Sequence, residues 1–116
     1  LLLVAIVEGH RDLGGILEDV SQFTLEHVVP LNPGDEWKLP DEVVRTYTKR
    51  LGNMTLLDPS ANVDLGNKSF AEKILIFKTS PLLITQEIAK NTNWGPSEID
   101  ARQAVMAATA LDIWKL

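Results

Sequence analysis

Glu26 and His27 stand side by side in the stretch Leu25-Glu26-His27-Val28-Val29-Pro30, an acid and an imidazole at the end of a short apolar-polar alternation. A histidine with its ordinary pKa is neutral at pH 7 and can take a proton from water. A carboxylate is the hard oxygen ligand that Mg²⁺ prefers, and that ion often takes only one or two ligands from protein, keeping water and a substrate phosphate for the rest. Two asparagines, Asn53 and Asn62, follow at a spacing of nine, with Asn67 and Lys68 shortly after. Hydrolysis of a phosphodiester asks for a nucleophile made from water, stabilisation of transition-state charge and help for the departing oxygen, and a histidine with a divalent metal covers all three. Each residue also has a plainer reading. Glu26 is then a solvated side chain, His27 a loop cap, Asn53 a turn residue after Gly52 and Asn62 a helix cap. Neighbours on a strand point to opposite faces, so Glu26 and His27 serve one site only if the backbone turns there.

Phe23, Leu25 and Val28, interleaved with Thr24 and Glu26, predict that strand, and Pro30 ends its pairing because it has no N–H. Asn32-Pro33-Gly34-Asp35 reads as a turn, with Trp37 folding back on the core. Asp41 is placed to cap a helix whose apolar side is Val43, Val44, Tyr47 and Leu51, closed by Lys49, Arg50 and Gly52. Gly52 releases the chain into a second strand over Asn53–Leu57, antiparallel to the first, and Asp58-Pro59-Ser60 turns out of it. Phe70, Ile74 and Phe77 recur at i, i+4 and i+7, which predicts a helix over about 68–78 packed on the hairpin. Ser80-Pro81 reads as a cap with proline at the first helical position, opening a short helix through about Lys90. Ser97 with Asp100 resembles a capping box opening the last helix. That helix lines up Ile99, Met106, Ala110 and Ile113 on one side, with Trp114 at the edge. Arg102 falls on the same apolar side and needs a partner, either a buried carboxylate or a substrate phosphate. The change from period two to period 3.6 makes the expected class α+β.

A chain of 116 residues is expected to be one domain that buries roughly two thirds of its unfolded surface. Hydrophobic content of 45% against 23% charged residues excludes a disordered chain. The opening Leu1–Val7 is apolar but too short to span a membrane and reads as a core segment, with Gly9, Gly14 and Gly15 punctuating a loop that holds His10 as a surface histidine. Entry on that run without a Met suggests a fragment of a longer protein. The absence of cysteine excludes disulfides and zinc knuckles, and a reducing cytoplasm is expected. No glycine loop with a following Lys is present to cradle a nucleotide. The net charge of −5 argues against a general affinity for nucleic acid. Positive charge is nevertheless gathered on both sides of the asparagines, at Arg45, Lys49 and Arg50 and at Lys68, Lys73 and Lys78, which predicts a local basic rim on an acidic body.

An acid-His pair, an Asn opening a strand and a second Asn nine positions later resemble the HNH, or His-Me finger, nucleases. Within them, LEHVVPLN, LGNMTLLDPSANVDLGNKSFAEK and a closing W…I…R…IW resemble the C-terminal nuclease domain of GmrSD-type restriction endonucleases, over about residues 20 to 116. The resemblance implies a two-stranded antiparallel hairpin plus helix with surrounding helices. It implies a metal-dependent DNA endonuclease of a restriction or phage-defence protein, in which His27 is the general base and Glu26 and Asn62 hold Mg²⁺ or Mn²⁺. Asn53 would brace the inter-strand loop near His27, Asn67 and Lys68 would be candidates for contact with substrate phosphate or for loop bracing, and an arginine shared at the place of Arg102 leaves both of its readings, structural or substrate-binding, open. Glu26 departs from the commoner Asp and lengthens one ligand arm. Implied partners are double-stranded DNA, modified bases included, and an N-terminal nucleotide-dependent domain of the same protein, with no membrane. Two other readings stand beside it: a catalytically inactive HNH-like module that binds protein, and a non-specific nuclease acting alone.

Overall fold

In the computed structural model, the described residues are 23–58, 65–66 and 68–113. The amino-terminal apolar run with its glycines and His10, the Pro59-Ser60 turn, Asn62, Asn67 and Trp114 lie outside them.

Strand β1 (Thr24–His27) pairs antiparallel with β2 (Met54–Leu57), Glu26 opposite Thr55 and His27 opposite Met54. Between them run a 3-10 turn at Asp35–Trp37, helix α1 (Asp41–Tyr47) and a second 3-10 turn at Leu51–Asn53. Helices α2 (Phe70–Phe77), α3 (Leu83–Ile88) and α4 (Pro96–Ile113) follow. The structure is mixed α and β, with a two-stranded sheet and four α-helices among the described residues, and β1, β2 and α2 come in the expected strand-strand-helix order.

Several helix starts differ from expectation, each for a local reason. Pro40 is the residue before α1, so Asp41 lies in its first turn, where a carboxylate complements the helix dipole without capping it. Ser80 caps no helix: its hydroxyl accepts from Leu82 N at 3.1 Å, and α3 begins two residues beyond Pro81. The last helix starts at Pro96, where a missing N–H costs nothing, and Glu98 reaches back to accept from Gly95 N at 2.9 Å. Asp100 instead pairs with Arg50 at 2.7 Å on the flank of α1, and Tyr47 OH donates to it at 3.3 Å. A full capping box opens α2, where Ser69 Oγ accepts from Glu72 N and the Glu72 carboxylate accepts from Ser69 N.

Two apolar clusters sandwich the hairpin. Val28, Val29, Trp37, Phe70, Phe77, Ile88, Trp94 and Ile99 form the larger, and Leu56, Leu82, Ile84 and Met106 the smaller. Phe77 and Ile88 have no exposed surface, and burial of such side chains stabilises by about 2 kcal/mol each. Gly52 lets α4 approach the second 3-10 turn, since a Cβ there would run into the Ile99 carbonyl oxygen and lie 2.9 Å from Gln103 Cβ. Its N–H donates to Gln103 Oε1 at 3.0 Å. No helix among the described residues is long and apolar enough to cross a membrane.

Candidate active site

β1 ends at His27, and the chain bends at once at Val28 and Val29, so the bend follows the Glu26-His27 pair, whose two residues keep regular strand register opposite Thr55 and Met54. The bend is held by two side chains from elsewhere in the chain. Asn53, fully buried, uses all of its hydrogen-bonding capacity: Oδ1 accepts from Val29 N at 2.9 Å and from Trp94 Nε1 at 3.0 Å, while Nδ2 donates to Val29 O at 3.0 Å and Thr48 O at 2.9 Å. Its own carbonyl accepts from Val28 N at 2.9 Å. These bonds join Asn53 to the inter-strand segment at both of its ends, Val29 and Thr48. Trp94, a partner that sequence reading missed, also stacks on Phe70 with ring centroids 5.6 Å apart.

Lys73 is the second holder. It was expected on the basic rim, yet it has no exposed surface. Its position follows from α2, where Phe70, Lys73 and Phe77 at i, i+3 and i+7 share the buried face. The ammonium donates to His27 O at 3.1 Å and Val28 O at 2.9 Å, and lies 3.1 Å from Glu26 Oε2 as an ion pair. The Trp37 ring centroid is 5.7 Å from Nζ. Arg50, its side chain 37% exposed, is paired with Asp100 and the Tyr47 ring, and of the other expected rim cations Lys49 is near enough to His27 to lower its pKa.

The electrostatics follow from burial. Glu26 is pushed above the usual carboxylate range by desolvation, with Lys73 pulling it back down. His27 is lowered by desolvation and by the positive charge of Lys73 and Lys49, which favours a neutral imidazole able to accept a proton. Burial also lowers Lys73, against the pull of Glu26.

Arg102 takes carbonyls in place of a carboxylate: NH1 donates to Gly52 O at 3.0 Å and Met54 O at 2.6 Å, and NH2 to Ile84 O at 3.5 Å. Burial pushes the guanidinium down to about 10, opposed by Glu87, so it stays charged at neutral pH. These bonds tie α4 to the entry of β2 and to α3, the work of a structural lock. Lys68 is exposed, 4.0 Å from the Glu72 carboxylate.

No group of three or more His, Asp or Glu side chains among the described residues is arranged to hold a metal ion. Glu26 nevertheless offers what a hard divalent ion needs. It is an oxygen donor, its side chain is 15% exposed, and its Oε2 lies 3.1 Å from Lys73 Nζ. Asn62, the other expected ligand, and Asn67 lie outside the described residues.

No curated protein matches the chain. Residues 8–109 match the family model of the C-terminal domain of GmrSD restriction endonucleases, and the chain belongs to that family.

Proposed function

We propose that this domain is a metal-dependent DNA endonuclease of the HNH, or His-Me finger, type. The observation that carries the reading is the strand end itself, where the acid and the imidazole stand at a bend fastened from both sides by Asn53 and Lys73. Such rigidity suits a catalytic pair, because misplacement of reacting groups by about 1 Å can cost 10²-fold in rate.

His27, held neutral, accepts the proton of the attacking water. Glu26 with Asn62 would hold Mg²⁺ or Mn²⁺, which supplies charge neutralisation for the scissile phosphate and the departing 3′ oxygen. Asn53 keeps the bend and so the direction of the imidazole. Lys68 and Asn67, in the segment leading into α2, contact the flanking phosphate, and Lys49, close enough to lower the His27 pKa, adds to the attraction for the DNA backbone. The acidic body leaves most of the DNA affinity, and any choice of modified bases, to an N-terminal nucleotide-dependent domain of the same protein. The family is one of restriction enzymes, so a cytoplasmic setting and a role in phage defence belong to this reading.

Nicking of supercoiled plasmid by the intact protein across a Mn²⁺ series tests it. His27→Ala is expected to lose about 10²–10⁴-fold in rate, with no recovery as metal rises. Glu26→Gln is expected to recover in part, because its defect is one of occupancy. Recovery of His27→Ala with metal while Glu26→Gln stays inactive would reverse the two roles. Full activity in both variants would mean that the cutting site lies elsewhere.

A further inference from the structure

Two peptide planes follow His27, and each is fastened at both ends. In the plane between His27 and Val28, the carbonyl accepts from Lys73 Nζ at 3.1 Å and the N–H donates to the Asn53 carbonyl at 2.9 Å. In the plane between Val28 and Val29, the carbonyl accepts from the same Nζ at 2.9 Å and the N–H donates to Asn53 Oδ1 at 2.9 Å. A peptide plane held at one end can still rock about its neighbouring bonds; held at both, it cannot. We propose that Lys73 is a positioning residue of this site, a buried ammonium that fixes the carbonyl ends of these planes and pairs with Glu26 Oε2, so that His27 and the Glu26 carboxylate keep a set relation.

Several observations make Lys73 more than a packed stem. An ammonium has three N–H donors and no acceptor, and three oxygens surround this one. Full burial of a lysine is rare unless it is paired, and this one is paired with the very carboxylate that stands beside the imidazole. A residue kept only for packing on this face, between Phe70 and Phe77, would be apolar. The ammonium also touches both halves of the Glu26-His27 pair, one by its side chain and the other through its backbone. The pair thus answers to a single group on α2, an element separate from the hairpin.

The proposal rests on the nuclease reading for its rate consequence, and its geometry is tested apart from activity. With the intact protein, and with wild type shown to nick in a His27-dependent way, Lys73→Met is assayed well below its melting temperature. Under that condition a purely structural defect leaves the folded protein's kcat alone. The expected result is a fall in kcat of about 10²-fold with the plasmid concentration for half-maximal rate unchanged. A kcat within twofold of wild type overturns the proposal. Lys73→Met leaves Glu26 buried without its counter-ion, a cost to the fold, so a second arm compares Glu26→Gln with the double variant Lys73→Met/Glu26→Gln, in which neither charge remains. Amide hydrogen exchange at Val28 and Val29 is expected to be at least about tenfold faster in the double variant, while amides in α4 keep their rates. Equal exchange at the two valines overturns the assignment whether or not the protein nicks.

Discussion

Asn53 and Lys73 hold the same two peptide planes from opposite ends and do so by different physics. Asn53 is neutral, and every donor and acceptor on its amide has a partner, so its burial leaves no unmet demand. Lys73 carries its charge into a fully buried position, where desolvation is costly and only an opposite charge with good hydrogen bonds offsets it. The neutral holder is self-sufficient and answers to backbone geometry alone. The charged holder makes the stability of α2 against the hairpin depend on a carboxylate that the proposed chemistry also uses.

The largest expected effect is on the neutral side. Asn53→Leu strands Val29 N, Val29 O, Thr48 O and Trp94 Nε1, and buried polar groups left without partners cost about 1–3 kcal/mol each. Urea denaturation should show a loss of at least about 4 kcal/mol; a loss below about 1 kcal/mol would mean that water replaces the amide and that the two holders are not so different. On the charged side, Glu26→Leu leaves Lys73 with carbonyls only and should cost about 3 kcal/mol in the same assay. Combining it with Lys73→Met should return part of that loss, because a buried pair removed together leaves no lone charge. Strict additivity of the two would deny the coupling.

Gly52→Ala acts on the Asn53 side at one remove, by pushing the 3-10 turn off the Ile99 carbonyl. A loss of about 2 kcal/mol is expected, read as a lower melting temperature. Ser69→Ala acts on the Lys73 side, at the start of α2, and should cost about 1 kcal/mol. Its pH dependence has a definite sign. Bonds from Ser69 hold the Glu72 carboxyl below its usual range, so that contribution is fully present above the ordinary carboxylate pKa and is lost as pH falls through the lower folded value. Stability of the wild type should therefore decline more steeply in that acid window than that of Ser69→Ala, as followed by circular dichroism.

The two holders were unequally legible in the sequence. Asn53 follows Gly52 at the start of an alternating strand and stands nine positions before a second Asn, a spacing that marks it. The hairpin and the Phe70-Ile74-Phe77 face were likewise readable, because apolar periodicity reports directly on burial. Lys73 was hidden by its type: lysine on a helix is ordinarily solvated, and its charge joined a count of nearby cations. The signal lay in position, since Lys73 occupies the same face as Phe70 and Phe77. Arg102 was readable as a residue in need of a partner, but main-chain carbonyls leave no mark in a sequence. The Ser69-Glu72 box was written plainly as S-x-x-E, whereas the Ser97-Asp100 look-alike yielded to Pro96, which starts a helix without needing a capped N–H.

The bonds that shape the bend span the chain widely: Val29 to Asn53 across 24 residues, Val28 to Lys73 across 45, Trp94 to Asn53 across 41 and Arg102 to Gly52 across 50. No local segment can form it early, since contacts of such separation are made only after the loops between them have closed. During synthesis the Glu26-His27 pair leaves the ribosome long before Trp94 and Arg102 do. A chain truncated before α4 holds every residue of the pair and its first asparagine, but not the indole that completes the Asn53 bonds or the guanidinium that locks β2. The bend beside the Glu26-His27 pair therefore matures last, and a half-made copy carries the letters of the proposed site without its shape.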